Sequence, residues 1–186
     1  VKEVLQGQQN DRIGLYYSGL SLFLESKNMS DDGLKNAIQA QALRALADST
    51  FQLKLTMESD IKYIENKEYD KAKGKRRELI MEHMNNINQT FAFIHQATML
   101  RAGIYCDIGE LGSMSRVLEE YSDFITNDVA QNASLLSQYD INDDGTATGL
   151  WASRSQLSLD TTAIYNALNC IRKTLYISIE KEEAEE

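Results

Sequence analysis

Residues Leu79 to Gln96 read LIMEHMNNINQTFAFIHQ, and the spacing of their apolar members decides the fold class. Ile80, Met84, Ile87, Phe91 and Ile94 follow one another at intervals of four, three, four and three. That alternation lines one face of an α-helix in the pattern of a coiled-coil seam, and no β-strand can use it, because strand side chains alternate with period 2. A second stripe, Phe93, Ala97, Leu100 and Ile104, widens the apolar face toward the C-terminal end of the same segment. This end is expected inside a thick bundle, and the opposite end as a projecting two-helix arm.

The same periodicity extends in both directions. Upstream, Leu43, Leu46, Thr50, Leu53, Met57, Ile61 and Ile64 predict a helix over residues 34–71, about 57 Å long at 1.5 Å per residue. Ser30-Asp31-Asp32 supplies its N-cap cluster, and Ala40, Ala42, Ala45 and Ala47 add helix propensity. Gly74 is the natural turn, so residues 34–71 and 76–105 are expected to form a long antiparallel α-hairpin. An earlier helix, about residues 9–27, carries Ile13, Tyr16, Leu20 and Phe23, with Gly14 and Gly19 either weakening it or letting a neighbour approach. Downstream, Asp107-Ile108-Gly109-Glu110 has the form of a capping box. It precedes the stripe Leu111, Met114, Leu118, Tyr121, Ile125 and Val129, which ends near Ser137. After an acidic, glycine-containing loop at 137–155, Ile164, Leu168, Ile171, Leu175 and Ile179 predict a last helix. The expectation is an all-α protein, an elongated bundle of about five helices in a single domain spanning 1–186.

Composition supports this. Among 186 residues there is no proline, where about nine would be ordinary, and proline is the residue that breaks helices. With 42% hydrophobic residues there is enough material for a core. The longest apolar run, Ile13–Leu24, falls short of the about 20 residues that span a bilayer, so a soluble chain is expected. Net charge is −9, of which the acidic tail at 180–186 (five Glu, one Lys) supplies −4, and nucleic-acid binding is therefore not expected. The chain opens on Val1 without methionine or signal peptide, as a trimmed or processed product would. Cys106 and Cys170 form no metal-ligand spacing; two thiols and one disulfide are both compatible with the count.

Few residues promise chemistry. Only two histidines are present, His83 and His95, and neither follows a Glu by three positions, so the carboxylate-bridged di-iron bundle is excluded and both are expected to be structural. No nucleophile motif surrounds either cysteine, GSMS at 112–115 is not a nucleophile elbow, and glycine-rich phosphate loops are absent. DINDDG at 140–145 matches the first half of an EF-hand loop, with Asp140, Asn142 and Asp144 at ligand positions 1, 3 and 5. Position 12, which needs a bidentate Glu, is Trp151, so the expectation is a polar turn with at most weak calcium affinity. Asp160 is the nearest carboxylate able to complete such a shell. Lys71, Lys73, Lys75, Arg76 and Arg77 cluster around Gly74. They are partner-contact candidates, against the plainer expectation of a solvated tip next to a helix C-terminus.

The functional expectation is a non-enzymatic interaction or assembly protein with protein partners or self-association, of the kind found in secretion, conjugation or virion structures. The alternative is a membrane-active, pore-forming-like protein using residues 13–24, whose apolar residues cover most of the helix circumference. A weak calcium-binding module is third. An elongated α-bundle with a long hairpin also suits helical toxins, pilus components and phage structural proteins, but that is a likeness of shape, and shape does not imply function.

Overall fold

The computed structural model describes residues 2–66, 75–142, 146 and 148–155, with the side chains from Asp11 to Asn66 and from Glu78 onward. Helix α1 spans Lys2–Ser26, α2 Asp32–Glu65, α3 Lys75–Asp107, α4 Leu111–Phe124, α5 Ala130–Ser137 and α6 Leu150–Ser155. A five-residue π-helical segment, Ile125–Val129, joins α4 to α5. Among the described residues there is no strand, and the protein is an all-α bundle. The predicted last helix, with Cys170 and Asp160, and the turn at Gly74 lie outside the described residues.

The seam is core. Ile80, Met84, Ile87, Phe91 and Ile94 are all buried, packed with Leu53, Met57, Ile61 and Ile64 of α2. Asp31 caps α2 as expected, its carboxylate accepting the Leu34 N–H at 2.8 Å. The helix is described to Glu65, with the Asn66 N–H bonded to the Lys62 carbonyl at 3.0 Å; the remainder of the expected range, 67–71, lies outside the described residues. Ala97 and Ile104, with Phe93 and Leu100 half-buried beside them, meet Tyr16 of α1 and Ala42 and Leu46 of α2. The second stripe of α3 thus packs against both α1 and α2. Toward the other end Ile64 and Ile80 are also buried, in one cluster with Phe124, Val129, Leu136 and Trp151.

The two α1 glycines behave differently. A Cβ on Gly19 would lie 2.6 Å from Leu46 Cγ and 3.1 Å from the Ala42 carbonyl oxygen, so the missing side chain sets the approach of α1 to α2. A Cβ on Gly14 would meet nothing within 4 Å. Gly14→Ala should therefore stabilise the protein by about 1 kcal/mol or less through helix propensity. Gly19→Val should destabilise it by about 1–3 kcal/mol through overpacking. Chemical denaturation of both variants checks the opposite signs.

The expected capping box at α4 does not form. Gly109 adopts φ +79° and the Glu110 N–H donates to the Tyr105 carbonyl at 2.9 Å, which closes α3 with the six-to-one bond of a Schellman motif. Asp107 is thereby the last residue of α3, and its carboxylate pairs with Lys27 just beyond α1. Glu110 stands at the α4 N-cap without a side-chain bond. The letters D-x-x-E fit both arrangements; the left-handed glycine between them selects the C-terminal cap.

The π segment has a packing cause. Tyr121, Ile125 and Val129 are all buried at intervals of four, a spacing that an α-helix would rotate steadily off the core. The wider turn, with the Ala130 N–H donating to the Ile125 carbonyl, keeps them facing inward.

Candidate interaction surface

Of the large apolar side chains left in solvent among the described residues, five stand on α1 and α2, and Leu79, Ile108 and Leu150 lie elsewhere. On α2 they are Leu34, Phe51 and Leu55, exposed by 54%, 61% and 47%. Leu46, Leu53, Met57 and Ile64 occupy the opposite side of that helix and are buried. Phe51 and Leu55 continue through Arg44, Asp48, Glu58 and Lys62 at alternating intervals of four and three, so one straight stripe runs along the outside of α2. On α1, Tyr17 and Leu24 are each 55% exposed, and Ile13 and Leu20 lie half-buried on the same face. The Tyr17 ring meets Phe93 of α3 edge-on, with centroids 6.1 Å apart. Ile13 and Leu20 belong to the apolar segment expected on α1, whereas Phe51 and Leu55 lie off the expected stripe of α2. Their signal was available, as a second three–four stripe of mixed apolar and charged residues.

A polar cluster joins α2 to α3 behind this surface. Asp60 Oδ1 lies 2.7 Å from His83 Nδ1, the Tyr63 ring stacks on the imidazole at 3.9 Å, and Arg12 reaches Thr56 one turn away. Asp60 Oδ2 is buried without a hydrogen-bond partner. Burial raises the Asp60 pKa, against the pull of His83 and Arg12 in the other direction. An acid with a raised folded-state pKa contributes its full stability below the unfolded value, about 3.9, and loses it as pH rises through the folded value. Asp60→Asn keeps an acceptor for His83 and removes the buried charge. Its stability relative to the parent should therefore increase as pH is raised from about 4 toward neutrality. Urea melts across that interval check the sign, and a relative decrease would mean that the ion pair outweighs desolvation. His95 Nδ1 lies 2.7 Å from the Tyr121 hydroxyl.

The acidic loop is held by its own side chains. Thr148 donates its N–H to the Asp140 carbonyl at 2.9 Å and its hydroxyl to the Asp140 carboxylate. Asn142 donates its N–H to the Thr146 carbonyl at 2.8 Å and its side-chain amide to the Thr146 hydroxyl at 3.0 Å. Asp144 lies outside the described residues. Trp151, at loop position 12, is fully buried in the core, where Arg154 stacks on it and on Phe91 and donates to Asn88 Oδ1 at 2.7 Å. Among the described residues no group of three His, Cys, Asp or Glu side chains is placed to hold a metal ion. Calcium titration followed by Trp151 fluorescence and calorimetry should stay flat below about 100 μM, the strong edge of the weak-site range. Saturable micromolar binding that disappears in Asp140→Ala would contradict this.

Of the basic cluster, Lys71 and Lys73 lie outside the described residues, and Lys75, Arg76 and Arg77 form the first turn of α3. Cys106, half-buried, is disulfide-bonded; the chain has one other cysteine, Cys170, outside the described residues. Comparisons with protein-family models, with curated proteins and with solved structures found no match.

Proposed function

We propose that this protein is a non-enzymatic interaction or assembly protein whose partners cover the outer faces of α1 and α2. The supporting observation is the alignment of Tyr17 and Leu24 on one helix face, and of Phe51 and Leu55 on another, with about half of each side chain in water. Scattered surface leucines are ordinary, but aromatic and aliphatic side chains collected along a rigid helix face are what a helical partner buries. A component of a larger secretion, conjugation or virion structure would use such faces.

The competing use of the α1 face is insertion into a membrane interface. Among the described residues no helix is long and apolar enough to cross a membrane. Insertion of one face would still release vesicle contents, so the two functions separate experimentally. A photo-crosslinking residue placed at Tyr17 or Phe51, in the cell of origin, should yield discrete protein adducts, whereas the same residue at exposed Gln52 should yield fewer. Liposomes should retain their dye. Leakage that is abolished by Leu20→Asp in a folded protein, without protein adducts, would replace the assembly proposal by the membrane-active one.

A further inference from the structure

The charge order along α2 names a partner for its outer stripe. This inference rests on the assembly function just proposed. Arg44 and Asp48 precede Phe51, Leu55 and Glu58 follow it, and all five side chains project from the same exposed face. A parallel pairing of two copies would set each charge against itself. An antiparallel pairing centred between Phe51 and Leu55 would set Asp48 against Glu58, again repulsive. Centred on Leu55 it would pair Asp48 with Lys62 but leave the Phe51 ring, the most exposed apolar side chain of the stripe, opposite Ser59. Centred on Phe51, the antiparallel arrangement buries that ring and relates each residue to the one equally far on the other side. Arg44 of each copy, seven residues before Phe51, then faces Glu58 of the other, seven residues after it.

We propose that two copies of this chain associate through the outer face of α2, antiparallel and two-fold symmetric about Phe51. The two Phe51 rings bury each other at the centre, Leu55 covers the partner's Ala47, and two Arg44–Glu58 contacts flank them. Two-fold interfaces are self-complementary in this way, with residue i meeting j and j meeting i. Glu58 already pairs with Lys62 of its own helix at 2.6 Å, so Arg44 of the second copy adds a second cation to an exposed carboxylate. The stripe from Arg44 to Glu58 is about 21 Å long, at 1.5 Å per residue. One helix face of that length buries less than the about 800 Å² per partner of a standard stable interface. The dimer is therefore weak and concentration-dependent.

Sedimentation velocity of the full chain at physiological salt, over a concentration series from about 10 to 500 μM, should show a monomer–dimer equilibrium. Phe51→Glu should abolish it without changing the circular dichroism spectrum or the melting temperature, because the side chain is mostly in solvent. Arg44→Glu should weaken association by about tenfold or more, and Arg44→Glu with Glu58→Arg should restore it. The Phe51→Cys variant should form a symmetric disulfide dimer on mild oxidation. A dimer that survives Phe51→Glu, or a charge swap that fails to rescue, would overturn the α2 interface. A monomer at every concentration would overturn self-association altogether. If Phe51 still crosslinks to a different protein in that case, the assembly function stands and only its partner has changed. If Phe51 and Tyr17 crosslink to nothing, both proposals fall.

Discussion

Phe91→Ala should cost about 3–5 kcal/mol, the range for removing a fully buried phenylalanine ring. Phe91 is 5% exposed in the middle of the α3 seam. Its ring stacks on Phe124 of α4 at 6.3 Å and meets Trp151 of α6 edge-on at 5.8 Å. Truncation therefore opens a cavity bordered by three elements that belong to separate stretches of chain, and none can close it alone. Against a total stability of about 5–15 kcal/mol, the loss is a large fraction. In a chain of this length it should lower the melting temperature by roughly 6–20 °C, readable by calorimetry and matched by a lower urea midpoint. An unchanged melting temperature would mean that this face is not packed in solution.

A comparable loss, about 3–5 kcal/mol, is expected for Trp151→Ala. Trp151 is the largest fully buried side chain among the described residues, carried on a helix of only six residues. Such a helix has no stability of its own, so its place in the fold depends on this anchor. Trp151 Nε1 is buried without a hydrogen-bond partner, a cost the native protein already bears. Trp151→Phe should therefore be much milder than Trp151→Ala, since it removes that donor and keeps most of the ring. Each of Phe91 and Trp151 borders the space the other would vacate, and Arg154 stacks on both, at 4.3 and 4.6 Å. The double alanine variant should fall short of the sum of the singles, with a coupling of roughly 0.5–3 kcal/mol. Strict additivity would mean that α6 does not dock on α3 as described.

These two residues also mark how far the sequence was legible. Phe91 stood out because its neighbours at three and four residues are apolar, and that relation is local. Trp151 was visible only as a failed calcium ligand at position 12 of a loop, because nothing within a few residues shows that α6 folds back onto Asn88 and Phe91. The same division separates the caps. Asp31 could be recognised as the N-cap of α2, since the residues that follow it are continuously helical. Asp107-Ile108-Gly109-Glu110 could not be resolved, since its letters suit the start of one helix and the end of another, and the choice depends on Gly109 adopting a positive φ. Gly14 and Gly19 look alike in the sequence, and only the position of Leu46 against Gly19 distinguishes them.

The candidate surface was the least legible feature. Helix α2 carries two stripes at intervals of three and four, one through Leu46, Leu53 and Met57 and one through Phe51 and Leu55. Helical geometry, 3.6 residues per turn, determines from the sequence alone that both stripes exist and that they lie on opposite sides. Which is covered depends on where α1, α3 and α4 stand, and those positions are fixed by contacts between residues far apart in the chain. Sequence by itself therefore determined the long helices α1 to α4, their amphipathic faces and the all-α class, since each follows from interactions within a turn or two. It missed α6, which forms inside the loop expected at 137–155 because Trp151 anchors it to distant residues. The tertiary structure decided that Phe51 faces water while Trp151 does not, because burial is a property of neighbours and not of the residue.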